Sequence, residues 1–413
     1  MSAAGSPGKG RSRRPEIRHR PRERQRLAAI GLEAEFAVVM DGVQVEPEKV
    51  FVTPTRIVRD PMVHRTGRSY HLPTGGAVYF DTGVIEIATP MVELAPGCAA
   101  QAGRILWENI LYLRRELDAW ELREGKEVHL AGFSTHYNIS FDVPKQDQTP
   151  SRTVHKLAYL LTHVLAFPVM LLAGNRRSTG VGVRPRGNRI EITADFTPDP
   201  ELMIAAATLI VAATRAVMAW PSYELGELAR HGIPVVRGFV PAKHSSRQGW
   251  VARYSCFDRN PFVTDVDDAV WHTTAGETLS AREMAERTIA RFRPAIESLG
   301  DHRSVRLIES VLSGEKLSLL ELEDRPPSYE HVGKLCTWDI GSFPERDLPR
   351  SRYERVVRHA IAGDTLRMEA DRYKATGMQG WSRVVFRRER DGRRRIFSLD
   401  QLIPHLRGWA KGT

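Results

Sequence analysis

The chain has 413 residues, 42% hydrophobic and 27% charged, with 32 Gly and 25 Pro. That composition suits one large or two medium globular domains and excludes a disordered or fibrous chain. Three widely separated cysteines, Cys98, Cys256 and Cys336, exclude a thiolate metal cluster or a disulfide scaffold and fit a reducing cytoplasm. The net charge of +10 is concentrated: residues 1–29 carry +7 and residues 383–395 carry +5, which leaves −2 for the rest. A body this close to neutral argues against a nucleic-acid-binding fold with a basic docking face.

Residues 1–28, rich in Arg, Pro and Gly, lack the apolar segment of a secretory signal. They read as a disordered basic arm able to touch a polyanion. The strand at 28–42 (AAIGLEAEFAVVMDG) ends in an Asp-Gly turn. Residues 43–75 show no clear period. A second strand system spans 76–92 and breaks at Thr82-Gly83. An amphipathic helix follows at 97–121, then an alternating strand at 128–142. Helices at 155–173 and 200–220 flank a strand at 186–197. Both are near membrane-spanning length, but His163, Pro168 and Arg215 and the polar stretch between them favour buried core helices and no membrane. Beyond 225 helical patterns appear at 280–299, 301–323 and 346–371, and a basic hairpin at 382–399 turns at Asp391-Gly392. The expected architecture is α+β. A unit of strands and helices would form a catalytic core over 29–225, and 226–413 would form a smaller, mainly helical part.

The chemistry lies in polar residues on apolar strands. Side chains at i and i+2 share a face. Glu33 and Glu35 therefore share one, as do Tyr79 and Asp81. Gly83 could bulge the chain and re-aim Glu86. His136 and Asn138 lie with Ser134 and Ser140; Arg189, Glu191, Thr193 and Asp195 form a fourth set. Taken singly, the glutamates could face solvent, His136 could be a core histidine, Asp81 a turn residue and Glu191–Arg189 a salt bridge. Together, four such strands suggest a site, because buried carboxylates are costly unless paired or bound to a cation. Oxygen ligands with one histidine suit Mg²⁺ or Mn²⁺. Arg184, Arg186 and Arg189 suit phosphate groups. That combination fits nucleotide phosphoryl transfer, with neither a Walker A string nor a GxGxxG motif present.

GLEAEF resembles the Gly-x-Glu-x-Glu strand of the glutamine-synthetase-like carboxylate–amine ligases. GGAVYFDTGVIEIATP, STHYN and NRIEITAD are similar to segments of the Pup ligase and depupylase family within that superfamily, over about residues 29–200. The resemblance implies a glutamine-synthetase-like curved antiparallel sheet and an ATP- and Mg²⁺-dependent ligase working through an acyl phosphate. Glu33, Tyr79 and Glu86 would be metal ligands, Thr89 an ATP contact, and Asp81 the catalytic carboxylate. By superfamily analogy Glu35, His136 and Glu191 join the metal or phosphate site. The partners implied are a carboxylate donor, which could be a small Pup-like protein, and an amine acceptor. Ala77 stands where the family has a nucleotide-contacting arginine, for which Arg65 or Arg68 could substitute, and Trp338 and Trp381 are candidates for its late ATP-contacting tryptophan. The short link between Glu35 and Tyr79 favours ligase over depupylase or deamidase. A small-molecule ligase akin to glutamate–cysteine ligase and a non-catalytic binding module are the alternatives.

Overall fold

In the computed structural model, the residues described are 29–140, 151–187, 189–244, 248–338 and 349–410. The basic arm expected at 1–28 lies outside them.

Strand β1 (Ala29–Met40) runs into β2 (Val43–Val45) through Asp41-Gly42, both at positive φ as a two-residue hairpin turn requires. The segment that showed no period contains a one-turn helix α1 (Pro47–Val50) and two short strands, β3 (Val63–Thr66) and β4 (Ser69–His71). β5 (Ala77–Asp81) and β6 (Val84–Ala88) follow, then β7 (Val92–Glu93), the long helix α2 (Cys98–Glu124) and β8 (Val128–Ser140). α3 (Val154–Ala173) and α4 (Pro200–Met218) enclose the hairpin β9 (Val181–Pro185) and β10 (Arg189–Asp195). These strands, with β11 (Ala242–Lys243) and β12 (Trp250–Ala252), form one sheet in the order β11-β12-β9-β10-β8-β1-β6-β5-β4-β3, and β2 and β7 also pair with β1. Every pairing in it is antiparallel.

The apolar residues of the central strands, Leu32, Ala34, Phe36 and Val38 among them, are buried against the helices. α2 and α3 lie beneath the sheet, and Gly103 of α2 lets Ile204 of α4 approach so closely that a Cβ would stand 2.6 Å from it. After the short helix α5 (Gly226–Arg230) and the two-stranded pair β13 (Trp271–His272) and β14 (Thr278–Leu279), helices α6 (Ala281–Leu299) and α7 (His302–Leu312) cover α4 from outside. α3 and α4 are thus enclosed on both sides, which accounts for their membrane-like composition; 89% and 83% of their apolar windows are buried. One hydrophobic core runs from Ile30 to Trp338, continuous across residue 225.

The C-terminal part differs from the helical expectation. The pattern at 346–371 gives helix only in α8 (Arg352–Ile361), and that at 301–323 stops at Leu312. β15 (Thr365–Met368), β16 (Asp371–Gln379), β17 (Arg383–Arg388), β18 (Arg394–Ser398) and β19 (Trp409–Ala410) form a second sheet in the order β18-β17-β16-β15-β19, with the short helix α9 (Leu399–Leu402). The turn at Ala362-Gly363 ends α8, and β16 alternates exposed and buried residues over most of its length as a half-covered strand does. This sheet packs on α8 around its own core of Tyr353, Val357, Leu366, Phe386 and Leu402.

Candidate active site

The polar face of the large sheet floors a cleft of about 780 Å³. Strand register sets its residues in rows. Thr193 pairs with His136, and His136 with Glu33. In the next row Asp195 pairs with Ser134, Ser134 with Glu35, Glu35 with Glu86 and Glu86 with Tyr79. On the other side Arg184 pairs with Glu191 and Glu191 with Asn138. Gly83 makes no bulge. Thr82 and Gly83, at φ +50° and +90°, are the two turn residues of the β5–β6 hairpin, and this turn brings Glu86 opposite Tyr79.

The cleft thus gathers Glu33, Glu35, Tyr79, Asp81, Glu86, Thr89, His136, Arg184, Arg186, Arg189 and Glu191 along its lining. His136 stands between the two carboxylates of β1, with Nδ1 3.5 Å from Glu33 and Nε2 3.5 Å from Glu35. Burial alone would lower the imidazole pKa, but the hydrogen bond to Glu33 and the charges of Glu35 and Glu191 raise it. Burial pushes the Glu33 carboxyl up, yet the His136 hydrogen bond and charge outweigh this and hold it below the usual carboxylate range. Glu86 goes the other way. Burial, then the negative charges of Glu35 and Glu33, push it up to about 8 against the hydrogen bond from Tyr79. Burial and the carboxylates of Glu33 and Glu86 push the Tyr79 phenol far up. The repulsion in the pocket thus falls on Glu86, and a donor set of three carboxylates, with an imidazole and a phenol beside it, fits a hard divalent cation.

Glu33, His136 and Glu191 each offer a donor atom within 4.8 Å of the others. Glu191, however, is already engaged. It is almost wholly buried, paired with Arg184, and accepts from Arg186 at 3.0 and 3.2 Å, with Arg189 at 3.8 Å. It anchors the arginine group, and Arg189 also donates to Asn138 at 2.6 Å. The Nε of Arg184 is buried with no hydrogen-bond partner. Thr89 accepts the Leu32 N–H at 2.9 Å, which leaves its own O–H to donate. Asp81 sits exposed at the rim and accepts from the Thr82 hydroxyl at 2.9 Å.

Arg65, from the unforeseen strand β3, enters the cleft beside Tyr79. Its guanidinium lies 5.4 Å from the Tyr79 ring and 5.0 Å from that of Trp381, and its Nε donates to Ser69 at 2.9 Å. Burial lowers its pKa. Of the two candidate tryptophans, Trp381 lines the cleft together with Ser382 and Tyr353, so the C-terminal sheet supplies a wall; Trp338 is buried in the main core. Sequence reasoning missed Phe133, Asn175, Arg177, His244 and Arg325, which also line the cleft. All but Phe133 come from loops without periodicity. His244, beside Arg184, is driven down to about 4, chiefly by burial.

No protein-family model matches the chain, and no curated protein does. Among solved structures, the chain is similar to the Pup ligase PafA in complex with the prokaryotic ubiquitin-like protein Pup. The match has a TM-score of 0.46 and 11% identity over 92% of each chain. It is also similar to PafA in complex with ADP, with a TM-score of 0.40 and 12% identity, over 83% of this chain and 91% of that one.

Proposed function

We propose that this chain is an ATP- and Mg²⁺-dependent carboxylate–amine ligase. The reading rests on one observation: carboxylates crowded on β1 and β6 adjoin arginines clustered on β9 and β10 within one cleft, with a separate exposed carboxylate, Asp81, at its rim.

Glu33, Glu35 and Glu86, with His136 and Tyr79, would hold magnesium, which neutralises phosphate charge when bound. Arg184, Arg186 and Arg189, held in place by Glu191, would face the phosphate oxygens. Thr89, Arg65 and Trp381 would contact the nucleotide, Arg65 in place of an arginine at Ala77. The substrate carboxylate would take the γ-phosphoryl group and so become an activated acyl group. An amine would attack the acyl carbon, expelling phosphate, while Asp81 accepts the amine proton. The three free cysteines fit a reducing cytoplasm. The donor could be a Pup-like polypeptide or a smaller acid, and polyanion contact through residues 1–28 stays a separate proposal.

The test is ADP release from the full chain with a panel of carboxylic acids, hydroxylamine serving as the amine. Acid-dependent ADP and hydroxamate should appear together. Asp81→Asn should lower that rate about 10²- to 10⁴-fold and leave Mg·ATP binding intact. Unchanged turnover in Asp81→Asn would sink the role given to Asp81. Amide cleavage without ATP consumption would favour a hydrolase.

A further inference from the structure

One aromatic side chain in the cleft has no place in the reaction above. Between β1 and β8 the register steps from Glu35↔Ser134 to Phe36↔Gly132, which leaves Phe133 without an opposite residue. An extra residue of this kind turns two successive side chains to the same side of a sheet. Val128 and Leu130 point into the core before the step, and Tyr137 and Ile139 do so after it, while Phe133 and Ser134 both line the cleft. Phe133 is 56% exposed.

The surroundings hold this arrangement in place. A Cβ at Gly132 would stand 2.5 Å from the Phe196 ring and 3.3 Å from that of Tyr329. The Phe133 carbonyl accepts the Phe196 N–H at 3.3 Å, and the Gly132 carbonyl accepts from the Arg325 guanidinium. That guanidinium lies 4.1 Å over the Tyr329 ring. Its Nε is buried with no hydrogen-bond partner, and the carboxylate nearest to it, Glu330, is 3.7 Å away. Asp195 feels the Arg325 charge, but its Oδ2 is taken by the backbone and side-chain amides of Asn175 at 3.0 and 3.1 Å. Arg177 also lines the cleft, with Asp324 4.0 Å from its guanidinium.

We propose that Phe133 and Arg325, with Arg177, form the recognition subsite for the acid substrate, and that this acid is amphiphilic: a carboxylate joined to an aromatic or aliphatic body. The inference rests on the ligase reading of the cleft. The ring lies inside the cleft, fixed there by the irregular strand, and offers apolar cover that a fully polar acid would not use. The guanidinium takes the anionic end, and the ring covers the apolar part. The nucleotide is left to the opposite set, Arg65, Thr89 and Trp381.

The experiment is calorimetric titration of the full chain with N-acetylphenylalanine and N-acetylglycine, two acids that differ by the benzyl group. N-acetylphenylalanine should bind about tenfold tighter or better, as burial of part of a phenyl ring implies. Phe133→Ala should abolish the difference, Phe133→Leu should keep most of it, and Arg325→Gln should weaken both acids. Equal affinity in the wild type, no binding of either acid, or a preference that survives Phe133→Ala would overturn the proposal. Mg·ATP titrated into the same samples separates the two readings. Phe133→Ala should bind it normally; if the wild type does not bind it, the ligase reading falls and the acid preference alone decides the subsite.

Discussion

A threonine in the left-handed region is sterically costly, and Thr82 occupies it, at φ +50°, directly beside Asp81. Asn-Gly is the preferred pair for such a turn, so Thr82→Asn should raise stability by about 1 kcal/mol. The same change removes the hydroxyl that donates to Asp81. Turnover should fall while the melting temperature rises, a pairing that thermal denaturation beside an ADP-release assay would show; a gain in both would mean that Thr82 does nothing for Asp81. His163 gives a pH prediction of clear sign. It lies in α3 between the Tyr159 and Phe239 rings, with both nitrogens buried and without hydrogen-bond partners, and burial pushes its pKa down to about 4. Below pH 6.5 the unfolded chain takes up a proton that the native helix refuses. The stability is therefore complete above pH 6.5 and lost as pH falls toward 4, by ~3 kcal/mol at most. His163→Phe should flatten that part of the stability profile, measured by denaturant titration at several pH values. An unchanged slope would place the acid sensitivity elsewhere.

At the scale of elements, α2 and α8 are joined by buried charge. Arg104 of α2 donates to Glu354 of α8 at 3.0 Å, and Arg350 bridges Glu354 and Glu108. Glu354 is fully buried and Arg104 nearly so. Glu354→Ala would leave the buried Arg104 only its longer contact to Glu108, at 3.4 Å, and denaturant titration should show a loss of about 3 kcal/mol; a change below 1 kcal/mol would mean that water reaches this junction. The elements also differ in how well the sequence announces them. The acid and imidazole rows on β1, β8 and β10 are readable, because strict alternation places Glu33, Glu35, His136 and Glu191 on one side whatever the tertiary context. The sequence marks the break at Thr82-Gly83 but does not separate a hairpin turn from a bulge there, since both can carry a glycine at positive φ. The true irregularity, at Phe133, does leave a trace. The apolar phase of VHLAGFSTHYNI shifts from even to odd positions around Gly132, the signal that an extra residue produces. β3 and β4 are too short to show a period, so the position of Arg65 was legible only as a substitute for the arginine missing at Ala77.

Across the whole molecule, the cleft needs both sheets. The main sheet supplies its floor, and the C-terminal sheet brings Trp381 and Ser382 against β3 and β4, where Trp381 packs on His71 and Arg65. Of the C-terminal strands, β17 and β18 form the hairpin expected at 382–399, with its turn at Asp391-Gly392; β15 and β16 were hidden because α8 and β15 follow each other within three residues, and the run of charge through both masks the change of period. The central claim is that crowded carboxylates await a cation carrying a nucleotide, and Mg·ATP binding tests it most directly. Thermal unfolding of the full chain should show a Mg²⁺-dependent stabilisation by ATP, about 2.7 kcal/mol at a hundredfold excess over Kd. That stabilisation should vanish in both Glu33→Gln and Glu86→Gln. A nucleotide effect that needs no Mg²⁺, or that survives both substitutions, would contradict the account.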